Sequence, residues 1–155
     1  MFSKLKIVFA FIMLICIYSS TSFAQEHFTE GNVRVVSFYR TSPGQFDAYM
    51  EYLRTNFFPQ QEEAVKQGLI VGYTILLNQP ANEDDWDIAV VNIYKSFGDA
   101  YDYNQGDEDK MKAIREKFFK TTDEDKMRSM TDKRFAMRTY VGTKSFREIK
   151  LKPMN

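Results

Sequence analysis

Residues 69–95 read LIVGYTILLN, then QPANEDD, then WDIAVVNIYK: two runs rich in Ile, Val, Leu and Tyr on either side of a short polar segment. β-branched and aromatic residues suit the pleated, half-buried surface of a strand. A seven-residue connection over 79–85 is too short for the crossover that parallel strands require. The pair therefore predicts an antiparallel hairpin, with strands at 69–78 and 86–95.

Upstream, VRVVSFYR at 33–40 predicts an earlier strand. Ser42 is a suitable helix cap, and Pro43 suits the first helical position, where its missing N–H is no loss. Phe46, Met50, Leu53 and Phe57 then recur at helical spacing, which predicts an amphipathic helix turned toward a core. Pro59 should kink or interrupt that helix, and Gly68 should end it.

Downstream of Ser96 the chain becomes charged and helical to about residue 134. Asp-Glu-Asp-Lys-Met occurs at 107–111 and again at 123–127. Each copy opens a helical stretch, with Met111, Ile114 and Phe118 in one and Met127 and Met130 in the other. Acidic residues in a first helical turn face the positive end of the helix dipole, so both copies are explained without a metal. A calcium loop would need a Gly and a terminal Glu at offsets that are absent here. A last strand is predicted over 135–149. The order β-α-β-β-α-β is the ferredoxin-like split unit, an α+β fold whose four-stranded antiparallel sheet carries helices on one face.

Alternation sorts each strand into two sets. One set holds Val36 and Phe38; Val71, Tyr73, Ile75 and Leu77; Ala89, Val91 and Ile93; Met137 and Val141. It is nearly pure core and is expected to meet the helices. The other holds Val35, Ser37 and Tyr39; Ile70, Thr74 and Leu76; Trp86, Ile88, Val90, Asn92 and Tyr94; Arg138 and Tyr140. That mixed set is too apolar for water and too polar for a plain core. It predicts a face covered by a second copy of the sheet, as a homodimer interface or a lined cavity.

The 155 residues carry 21 basic and 21 acidic groups, one His and one Cys. No surplus of Lys and Arg is available to neutralise phosphates, which argues against nucleic-acid or membrane-surface binding. Lys4 and Lys6 precede an apolar run at 7–18, followed by Ser22-Phe23-Ala24, the pattern of a secretory signal peptide cut after Ala24. Twelve apolar residues reach only about 18 Å as a helix, short of the roughly 30 Å hydrocarbon core, so a retained anchor is not expected. Cys16 follows Ile15 inside the apolar run, which disfavours lipidation. The expected organisation is a signal peptide at 1–24 and a single domain at 25–155, periplasmic or secreted. The mature chain would have no Cys, and its one His, His27, would sit in a solvated tail.

The run from Val33 to Tyr103 resembles the dimeric α/β-barrel superfamily, in particular its NIPSNAP-like members. The resemblance lies in the strand ending Tyr39-Arg40, in Pro43-Gly44 opening a helix with Phe46 and Tyr49, in Gly68-Leu69-Ile70-Val71-Gly72-Tyr73, and in Ile93-Tyr94-Lys95-Ser96. It implies homodimers whose sheets associate into a barrel. Among such proteins are cofactor-free monooxygenases acting on aromatic polyketides, haem-degrading enzymes, chlorite-dismutase-like haem proteins, and many members without an assigned reaction.

Haem ligation would need an imidazole, and only His27 could supply it. Ser-His-Asp and Cys-His catalysis lack a base, and no G-x-x-x-x-G-K loop is present. Trp86, at a strand start, reads as a packing residue. No cofactor and no metal are expected. What remains is a candidate ligand site of Ser37, Tyr39, Asn92, Tyr94, Arg138 and Tyr140. Asn92 and Arg138 stand out, because an amide and a guanidinium among Val90, Tyr94 and Tyr140 need partners if buried. Those partners could equally be backbone or cross-interface groups in the dimer. The sequence points to an exported, homodimeric small-ligand-binding or structural protein without an assigned reaction. The alternative is a cofactor-free monooxygenase-like enzyme acting on an apolar or aromatic molecule, with a substrate enolate that reduces oxygen.

Overall fold

The computed structural model describes residues 27–154; the expected signal peptide lies outside them. In chain order the elements are β1 (Phe28–Thr41), α1 (Phe46–Tyr52), a π-helical turn (Leu53–Phe57), α2 (Phe58–Lys66), β2 (Gly72–Leu77), β3 (Ile88–Tyr94), α3 (Phe97–Tyr101), α4 (Gln105–Phe119), α5 (Glu124–Met137) and β4 (Arg138–Leu151). The strands form one sheet in the order β2-β3-β1-β4, with β3 antiparallel to both of its neighbours. Glu30–Glu148 form a large compact unit, and the described residues 27–29 and 149–154 belong to a small one. In the small unit the Lys152 N–H donates to the His27 carbonyl at 2.8 Å.

Pro43 and Gly44 do not begin a helix. The Gln45 N–H donates to the Ser42 carbonyl at 2.9 Å, and Gly44 has φ +72°. Pro followed by a left-handed Gly makes a tight turn, since only Gly enters that region without steric cost. Ser42 does not cap α1; its N–H donates to the Met137 carbonyl and its hydroxyl to that of Ala136, at 2.9 and 3.2 Å. The turn is thereby tied to the junction of α5 and β4.

Pro59 interrupts the following helix as expected. It occupies the first turn of α2, just after the π-helical segment. A proline inside a helix loses one backbone bond and crowds the preceding turn, and a widened turn absorbs both effects. At the other end of α2 the Leu69 N–H reaches the Ala64 carbonyl and the Gly68 N–H reaches that of Val65, both at 3.0 Å, with Gly68 at φ +72°. This is a Schellman closure, with its left-handed residue at Gly68.

The acidic repeats start helices as expected. Asn104 caps α4 through the N–H groups of Gly106 and Asp107, and Asp123 caps α5 through those of Asp125 and Lys126. Ile114 is buried, and Met111 and Phe118 pack with it against Ala64 and Ile70. Residues 135–137, expected as strand, belong to α5 instead. The sequence there, Phe-Ala-Met, carries no breaker, and helix continues until Arg138.

The assignment of sheet faces is corrected. Helices lie against Tyr39, Ile88 and Val90, where Tyr49 and Leu53 pack with Met50, Ile75 and Met137. That is the mixed set, not the purely apolar one. The alternation of β2 is also one residue out of step with the expectation, because Tyr73 pairs with Asn92 and Ile75 with Val90. Tyr73 and Ile75 therefore share the helix side with Tyr94, while Thr74 and Leu76 face away. Alternation divides a strand into two sets but leaves open which sets of two strands align; only pairing decides that. The outward face is apolar: Val36, Ala89 and Val91 pack with Phe38, Trp86 and Ile93, with the Phe38 and Trp86 rings 5.1 Å apart.

Gly68→Ala is expected to destabilise the protein by about 1 kcal/mol, because a Cβ is strained in the left-handed region although nothing lies within 4 Å of it. Urea unfolding of the variant, with an unchanged denaturant slope, would show this.

Candidate functional site

Arg138 opens β4 and is 7% exposed. Its guanidinium lies over the Tyr39 ring, 3.3 Å from the centroid, and its Nη1 donates to the Tyr49 hydroxyl. The Tyr49 centroid is 5.0 Å away. Cation–π contact and one hydrogen bond thus hold the cation, while its Nε–H is buried without a partner. Tyr39 lies near the end of β1, and Tyr49 is a fully buried residue of α1. The cluster therefore joins a central strand, the first helix and the start of β4.

A hydroxyl chain continues from it. The Tyr39 and Tyr140 rings are 5.9 Å apart, the Tyr140 hydroxyl donates to Thr143 Oγ1 at 2.8 Å, and Thr143 meets the Ser37 hydroxyl at 2.9 Å. With Tyr39 beside Tyr140, strict antiparallel pairing would put residue 142 opposite Ser37. The contact goes to Thr143, so the alternation of β4 slips by one residue around Gly142, as a bulge does. Arg147, with its guanidinium 5.0 Å from the Phe97 ring, follows the shifted phase.

Asn92 and Tyr94 lie elsewhere. They line a cavity of about 320 Å³ between β3, α2, α3 and α4, together with Gln61, Met111, Asp99 and Glu108. The Asn92 Oδ1 is buried and unpartnered. Burial pushes the Tyr94 hydroxyl up, and its hydrogen bond with Asn92 works against that shift. The six expected residues thus occupy one side of the sheet but form two groups: Ser37, Tyr39, Arg138 and Tyr140 in the first, Asn92 and Tyr94 in the second. That side is covered by this chain's own helices rather than turned toward a second copy.

Sequence reasoning missed Tyr49, Thr143 and Arg134. Tyr49 lies four residues before Leu53, so its place in the buried stripe was legible; the expected stripe through Phe46 was rotated, and Phe46 is 41% exposed. Thr143 depends on the slip in β4, and Arg134 on the end of α5, neither of which has a local signature.

Burial raises the Tyr49 pKa to about 12, against the lowering effect of Arg138. Tyr73 is likewise raised to about 12, by burial and then by its hydrogen bond to Glu62 at 2.7 Å. Burial lowers the Arg138 pKa, and the side chain remains a cation because guanidinium does not titrate in this range.

No protein-family model matches the chain, and no curated protein matches it.

A group whose folded pKa is raised stabilises the fold fully below its unfolded value and ceases to do so as pH passes the folded value. The stability carried by Tyr49 is therefore expected to be intact below pH 10 and lost toward pH 12. In an alkaline absorbance titration Tyr49 and Tyr73 should each ionise near pH 12. Tyr49→Phe should remove one late-ionising group; a titration curve left unchanged by that variant would contradict this reading.

Proposed function

We propose that this protein is an exported, small-ligand-binding homodimer of the dimeric α/β-barrel kind, built from ferredoxin-like protomers and similar to the NIPSNAP-like members. The topological part rests on the element order, with helical segments between β1 and β2 and again between β3 and β4, and on the strand order β2-β3-β1-β4. Export rests on the pattern of residues 1–24.

One observation carries the binding reading. Two polar side chains of the same sheet side, Asn92 and Arg138, each keep a buried polar atom without a partner. A buried donor or acceptor left unmade costs about 1–3 kcal/mol, so native proteins retain few of them, and a ligand that completes them recovers that cost. Dimerisation rests on the outward face. Its centre is apolar, and Leu76, Val141 and Phe146 are 43%, 45% and 49% exposed, an arrangement suited to cover by the same face of a second copy. The alternative, a cofactor-free monooxygenase-like enzyme, is favoured by the Arg138 and Tyr49 donors, which together could hold a substrate enolate.

Mature protein beginning at Gln25, purified from its natural host, tests both parts. Its mass in solution should be that of a dimer, and Leu76→Glu with Phe146→Glu should yield folded monomer. A monomeric wild type overturns the barrel. A small molecule should be released on denaturation and be absent from Asn92→Ala or from Arg138→Met, according to which group holds it; oxygen uptake with that molecule would favour the enzyme. A wild type that carries nothing, with both variants equally stable, overturns the binding reading.

A further inference from the structure

Arg134 stands in the last turn of α5, four residues before Arg138, and α5 packs on α1. It is half-buried, and its Nε–H, like that of Arg138, is buried with no partner. The two cations are close enough for Arg134 to act on the ionisation of both Arg138 and Tyr49. Two like charges that act on one another, one of them almost fully buried, call for an anion: burying a charge is costly unless it is paired, and natural sites pair it.

No anion is supplied by the described residues. The groups that act on Arg138 are Tyr49, Tyr39 and Arg134, with no carboxylate among them, and no ion pair of either arginine occurs among the described residues. Tyrosinate does not fill the gap. With its pKa near 12, Tyr49 stays protonated at neutral pH and stands beside the arginines as a neutral hydroxyl. The stacking on Tyr39 spreads the Arg138 charge without cancelling it. The local balance is two positive charges surrounded by neutral donors and aromatic faces.

We infer that Arg134 and Arg138, with the Tyr49 hydroxyl, form a binding site for a small carboxylate that carries an apolar or aromatic body. This rests on the ligand-binding reading above and names the ligand class for the Arg138 group of that site. A carboxylate presents two acceptor oxygens in a plane, which the forked N–H groups of guanidinium match, and charge-assisted bonds of this kind are about twice as strong as neutral ones. The Tyr39 and Tyr140 rings suit the body of such a molecule, since tyrosine offers an apolar face with a polar tip. Tyr140 is 57% exposed, so its ring is open to such a body.

Benzoate and benzyl alcohol serve as probes, of similar size and differing in charge, titrated into the mature protein by calorimetry. Benzoate is expected to bind at least about tenfold more tightly than benzyl alcohol. Arg134→Gln, which alters a half-buried helix-end residue, should weaken benzoate by about tenfold while leaving benzyl alcohol unchanged. Arg138→Lys should retain part of the benzoate affinity, and Arg138→Met none. Equal binding of the two probes, or benzoate binding untouched by Arg134→Gln, overturns the carboxylate assignment; if that binding is lost in Tyr140→Ala, the ligand-binding reading stands without it. A neutral molecule released from host-purified protein has the same consequence. Binding of neither probe, with nothing released from host-purified protein, overturns both.

Discussion

Ile88, Ala89, Val90 and Val91 are four consecutive strand residues, none more than 7% exposed. Successive strand residues point to opposite faces, so β3 is buried on both sides, and the rest of the structure answers to that constraint. One side is closed by the helices: Tyr49 and Leu53 lie on Ile88 and Val90, and Met137 joins them from the end of α5. The other is closed within the sheet by Val36, Phe38, Trp86 and Ile93, which leaves Leu76, Val141 and Phe146 at its margin in water.

The same constraint places the polar groups. Asn92 and Arg138 share the side of Ile88 and Val90, beneath the helices, so they cannot be solvated as they would be on an open face. Arg138 is held by ring stacking and a tyrosine hydroxyl, not by an acid. A carboxylate would have neutralised it, and its absence among the described residues distinguishes this arginine from Arg34, which pairs with Glu148, and from Arg147, which pairs with Glu30 at 3.4 Å. Those two lie in more accessible positions, where an ion pair contributes little. Arg134 and Arg138, by contrast, each keep a buried Nε–H without a partner among the described residues, where an ion pair would contribute more than at an exposed position.

Much of this was legible along the chain. The hairpin of β2 and β3, the interruption at Pro59, the stop at Gly68 and the two acidic helix starts each follow from local chemistry: side-chain shape, a missing N–H, a left-handed glycine, a dipole. The choice of face was not. Both alternating sets of these strands are apolar enough for a core, so hydropathy ranked them in the wrong order, and β2 was placed one residue out of step. The site was legible to the same degree: Arg138, Tyr39, Tyr140 and Ser37 were recognisable as polar residues in apolar strands, whereas their separation from Asn92 and Tyr94 was not.

Sequence alone determined most of the elements, their order and the breaks at Pro59 and Gly68, because those depend on interactions within a few residues of chain. Tertiary structure alone decided the register of β2 on β3, the slip of β4 around Gly142, the burial of Tyr49 in place of Phe46 and the burial of Arg138 among tyrosines. Each of these depends on pairing or packing between segments distant in sequence, where a shift of one residue moves a side chain to the opposite face and no local preference opposes it.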